Sequence, residues 1–131
     1  MNKKVFWEII EQSKKESENF SHQVKLLISK LSQLEESRII GFEYRLREVI
    51  SELARYNIMA VAKIVNDYVS DDSFLYFRCR LIAEGKEFLY KVIENPDIIA
   101  EYDIQDLELG GEEMLYIADH AFIKKFGEAI C

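Results

Sequence analysis

Apolar residues recur at intervals of three and four along almost the whole chain, the period of helices that each bury one face. One proline and five glycines in 131 residues leave few places to interrupt it. The expected fold is therefore all-α: five to seven helices packed as one domain over residues 1–131. A chain of this length suffices to bury one hydrophobic core.

The first helix is expected over 3–18, with Val5, Phe6, Ile9 and Ile10 inward and Glu11/Lys15 as an i,i+4 pair. Ser21 is placed to cap a second, whose stripe is Val24, Leu27, Ile28, Leu31 and Leu34. A third, near 35–54, buries Ile39, Phe42, Leu46, Val49, Ile50 and Leu53. A fourth, near 56–68, uses Ile58, Val61, Ile64, Val65 and Tyr68. Ser70 then stands as an N-cap, with Asp71 and Asp72 where the positive end of a helix favours acids. The stripe Phe74, Phe77, Leu81, Phe88 and Val92 continues to about 94 with a break at Gly85, and Asn95-Pro96-Asp97 ends it. Residues 96–111 read as irregular, with one short turn around Ile98–Tyr102. Gly110-Gly111 leads into a last helix, 112–126, facing inward through Met114, Leu115, Ala118, Ala121 and Phe122.

Charge is distributed unevenly. The formal net charge is −7. Residues 1–70 hold eleven Lys/Arg against ten Asp/Glu, and residues 71–131 hold six against fourteen. No basic residue lies between Lys91 and Lys124, an interval containing Glu94, Asp97, Glu101, Asp103, Asp106, Glu108, Glu112, Glu113 and Asp119. Such a field repels phosphate backbones, so nucleic acid is not an expected partner. No apolar run approaches the ~20 residues of a membrane span. The opening segment meets Glu8 before a signal-peptide core could form, and a cytoplasmic location with Cys79 and Cys131 as reduced thiols is expected.

Phe6-Trp7-Glu8-Ile9-Ile10, Ser70-Asp71-Asp72-Ser73-Phe74-Leu75-Tyr76-Phe77-Arg78 with Leu81-Ile82-Ala83-Glu84-Gly85, Asn95-Pro96-Asp97 and Glu113-Met114-Leu115-Tyr116 together resemble the landmarks of a bacterial family known only as a domain of unknown function. Its pattern reads roughly FWxxI, SDDxFxYFRxWLIxxG, xPD and a closing helix. Its members occur alone and beside WGR-type modules. This chain departs from the pattern in carrying Met59 and Arg80 where the family often has tryptophan. The resemblance implies the fold and carries no mechanism with it.

Ser70, Asp71, Asp72 and Arg78 form the most site-like cluster. They make either a ligand site of two carboxylates and a guanidinium, or an N-cap with a half-buried charge pair, and the structural alternative is the expectation. Phe74, Tyr76 and Phe77 have core spacing and no accompanying basic track, so base stacking is not expected. His22 and His120 fall in no recognised ligand spacing, so neither a metal nor a cofactor is expected. Cys79, between Arg78 and Arg80, reads as a plain helix thiol.

The acidic interval has two readings, a solvated face or a surface for a basic partner. Two functions remain. One is a non-enzymatic protein-binding module, in the manner of an immunity or antitoxin-like protein, covering a basic partner with Asp97, Glu101, Asp103, Asp106, Glu108, Glu112 and Glu113. The other is an enzyme with its site at the Ser70–Arg78 turn. A flat or convex acidic surface favours the first, and a concave pocket at that turn favours the second.

Overall fold

Each helix starts where a side chain or a backbone break releases the preceding segment. In a computed structural model the described residues are 1–66, 69–101 and 110–127, without the side chains of Ala100 and Glu101. Asn2 accepts the Val5 N–H at 2.8 Å and opens α1, Lys3–Glu16. Asn19, not Ser21, caps α2, Phe20–Ser32, by accepting the His22 N–H at 2.8 Å. This earlier cap also ends α1 at Glu16 instead of residue 18. α3 is Glu36–Glu52 and α4 is Tyr56–Val65. α5, Asp71–Ala83, begins in a capping box: the Ser70 hydroxyl accepts the Ser73 N–H and the Ser73 hydroxyl accepts the Ser70 N–H.

Gly85 takes φ +105°, a conformation other residues resist, and separates α5 from α6, Lys86–Glu94. Asn95 and Pro96 stop α6, and a 3-10 helix follows over Pro96–Glu101. The last helix divides in two. A 3-10 turn covers Glu112–Tyr116, and α7 runs Ile117–Phe126 until Gly127 at φ +78° closes it. Helix accounts for 83% of the described residues, none of which is in a strand. No described helix is long and apolar enough to cross a membrane.

The core is one cluster in which α1 and α2 pack on each other, α7 lies across α2 and α3, and α5 touches α1, α3, α4 and α6. All six apolar residues expected inward from 35–54 are buried. Phe6 sits against Trp7 and Phe42 with ring centroids 5.2 and 5.1 Å apart, anchoring α1 on α3. Burying one such side chain contributes about 1.5–3 kcal/mol.

Three stripes are rotated from expectation, and in α2 Gln23, Leu27 and Leu31 are buried while Val24, Ile28 and Leu34 are half-buried. α1 buries Phe6, Trp7, Ile10 and Ser13, while Val5 and Ile9 are half-buried. α4 buries Ile58, Val61 and Ala62 but leaves Ile64 62% exposed, and it ends at Val65, with Tyr68 outside the described residues. Each set lies on one broad face, and residues at its edge are covered only where a neighbouring helix meets them.

Candidate functional site

The turn at Ser70 is a helix start, and its charged residues point to different tasks. Asp71 and Asp72 are exposed on the first turn of α5, where they complement the helix dipole. Arg78 forms no ion pair with either. Its Nη1 donates to the Ile50 carbonyl at 2.8 Å, and its guanidinium lies 4.4 Å from the Phe74 ring centroid. The expected Asp–Arg charge pair is thus replaced by a cation–π and carbonyl clamp joining α5 to α3. The cleft beside this turn is lined by Val69 and Phe74 but not by Asp71, Asp72 or Arg78.

The second acidic element arrives through close backbone contact. The Gly111 N–H donates to the Tyr76 carbonyl at 2.8 Å. A Cβ at Gly110 would lie 2.8 Å from the Tyr76 Cβ, and one at Gly111 would lie 2.8 Å from the Arg80 nitrogen. Only glycines let the chain rest directly on α5 here, and they deliver Glu112 and Glu113 to the neighbourhood of Tyr76.

The electrostatics record that convergence. Partial burial raises the Tyr76 phenol pKa above its ordinary 10.0, and the negative charges of Glu112 and Asp72 raise it further. The Tyr116 phenol is raised chiefly by the charge of Glu112, to whose Oε1 its hydroxyl donates at 3.3 Å. Carboxylates 40 residues apart in sequence, Asp72 and Glu112, therefore act on one tyrosine. Glu112 and Glu113 are exposed, and Tyr116 is 45% exposed. Asp97 is also exposed, but its 3-10 helix packs on α4 and α6, whereas Glu112–Tyr116 packs on α5 and α7. Asp103, Asp106 and Glu108, with the Glu101 side chain, lie outside the described residues.

A buried ionic cluster had no counterpart in the sequence reading. Arg80 is 4% exposed; its Nη1 donates to Glu84 Oε1 at 2.6 Å, and Lys14 reaches Glu84 Oε2 at 3.1 Å. The Arg80 guanidinium also covers the Phe20 ring at 4.7 Å. Beside it, buried Gln23 donates to the Ala83 carbonyl at 2.9 Å. The i,i+4 spacing of Arg80 and Glu84 was visible in the sequence, but its burial depends on Lys14 and Phe20 from α1 and α2. The cluster links three helices around the Arg80–Glu84 pair, and removing either member of that pair would strand a buried charge.

His22 serves locally, its Nδ1 accepting the Glu18 N–H at 3.2 Å. No group of three or more His, Cys, Asp or Glu among the described residues could hold a metal ion. Cys79 is fully buried, and that burial pushes its thiol pKa up to about 12, the opposite of an activated nucleophile.

A family model described as "Protein of unknown function (DUF4240)" matches residues 1–124. No curated protein and no solved structure matches the chain.

Proposed function

The chain belongs to the DUF4240 family of proteins of unknown function, and from its own surface chemistry we propose a non-enzymatic protein-binding module that takes up a partner through its acidic face. The observation that carries this reading is the gathering of Asp72 and Glu112 around Tyr76, with Tyr116 bonded to Glu112 and Glu113 exposed on the same turn. Tyrosines supply contact area at low entropic cost, and carboxylates beside them steer a basic partner into place. Neutralisation of a cationic site on that partner, as an immunity or antitoxin-like protein achieves it, is the most concrete form of this role. Asp97, Glu101, Asp103, Asp106 and Glu108 enter this reading through their charge in the sequence alone. Occurrence beside WGR-type modules, implied by the family resemblance, accords with a domain used as a binding unit.

The test is a capture from the native host followed by association kinetics with the recovered partner. Reversing Glu112 and Glu113 to Lys should slow association, and raising salt should slow the wild type, because screening acts over ~8 Å at physiological ionic strength. Glu8 and Glu18, exposed acids outside this patch, form the control pair. Equal association of both variants, or loss in the control alone, would make the acidic face merely solvated.

A further inference from the structure

The geometry points to a second binding surface: the cleft between α4 and the start of α5, which would take an acidic amphipathic helix from a protein partner. α4 is apolar around much of its circumference. It buries Ile58, Val61 and Ala62 yet leaves Tyr56 97% and Ile64 62% exposed, an arrangement expected of a helix that packs on both sides. Beside its outer face is a cleft of about 640 Å³ whose apolar lining includes Tyr56, Met59, Val69 and Phe74.

The charges select the occupant. Among the described residues, Arg55 and Lys63 are the only charged ones lining this cleft; both are exposed, and neither forms an ion pair with a described carboxylate. Arg55 uses its Nε on the Glu52 carbonyl at 2.8 Å, which leaves the outer edge of its guanidinium available. Eight residues separate the two cations, roughly 12 Å along a helix at 1.5 Å per residue. A docked helix with an apolar stripe and acids seven or eight residues apart matches both ends, the helix-in-groove mode of recognition. Two cations on a chain of net charge −7 are too few to hold an anionic membrane, which recruits clusters of about four to eight. This surface is independent of the acidic face, and its partner has the opposite charge.

The probe is a labelled synthetic peptide with a leucine stripe and glutamates eight residues apart, alongside its lysine counterpart. Fluorescence anisotropy with the full chain should show binding of the acidic peptide, weakening with salt. The double variant R55E/K63E should lose roughly tenfold or more in affinity and should now favour the lysine peptide. Tyr56→Ser should weaken both peptides with helical content unchanged, since Tyr56 is 97% exposed. The double reversal of Glu112 and Glu113 to Lys should leave acidic-peptide binding intact, which separates this proposal from the acidic-face reading. No acidic-peptide binding, or equal binding by R55E/K63E, would overturn it. So would concentration-dependent self-association abolished by Tyr56→Ser, which would assign the cleft to a second copy. Recruitment to phosphatidylserine vesicles in place of the peptide would overturn it as well.

Discussion

Replacing Gly111 with alanine probes the joint that brings the acidic turn onto α5. Gly111 has a negative φ, −139°, so the left-handed strain that favours glycine plays no part. With free space, the substitution would stabilise by about 0.4–1 kcal/mol through the unfolded chain. The structure leaves no such space: the added Cβ would sit 2.8 Å from the Arg80 nitrogen and 2.9 Å from its Cα, where ordinary contact begins at 3.4 Å. One backbone must yield by about 0.6 Å, at the ~1–3 kcal/mol typical of overpacking. Less the unfolded-chain gain, the net loss is about 1.3 kcal/mol and at most about 2.6; at roughly 4 °C per kcal/mol for a chain of this length, Tm should fall by about 5 °C and by no more than about 10 °C in a calorimetric scan. The same shift moves Glu112, with Tyr116 on the same turn, away from Tyr76, so the Tyr76 phenolate should form at lower pH in an ultraviolet titration. Gly127→Ala is the contrast. It meets no atom within 4 Å but keeps φ +78°, so it should cost only the left-handed strain of about 1–2 kcal/mol and leave the phenols unchanged. An unchanged or raised Tm for Gly111→Ala would refute the close approach and the placement of Glu112 with it.

Ser70→Ala and Ser73→Ala should each lower stability by ~1 kcal/mol in denaturant titrations, because each removes a bond of the capping box. Asp72→Ala should cost much less, since Asp72 accepts no first-turn amide, and midpoints reversed in order would contradict the cap assignment. In a Cys131→Ser background, Cys79 should react with a thiol reagent only as fast as the protein opens, given its burial and a thiol pKa of about 12. Immediate modification of the native protein would contradict it. The raised phenols of Tyr76 and Tyr116 keep more protons in the folded state than in the unfolded one. Their contribution to stability should be complete below pH 10.0 and lost as pH rises through the folded values. Glu112→Gln should shrink that alkaline loss, as measured by denaturation across the range.

The helical period, the Ser70 cap and the Gly85 break were all legible in the residues, because each is set by neighbours within one or two turns. Serine at 70 can satisfy the first amides of a helix whatever packs above it, and Gly85 is free to adopt a positive φ in any context. The rotation of α1 towards Trp7 was not legible. Periodicity says which residues share a face, and only Phe42 on α3 decides how that face turns. Arg78 faced the same limit: its place on the helix was readable, but the Ile50 carbonyl that holds it comes from another element. The acidic residues on either side of the core looked like two separate features until Gly110 and Gly111 pressed Glu112 against the Tyr76 segment. Local backbone preference shaped the pieces of this protein, while long-range contact, which no nearest-neighbour rule contains, brought Asp72 and Glu112 to one tyrosine and left Tyr56 and Ile64 of α4 exposed.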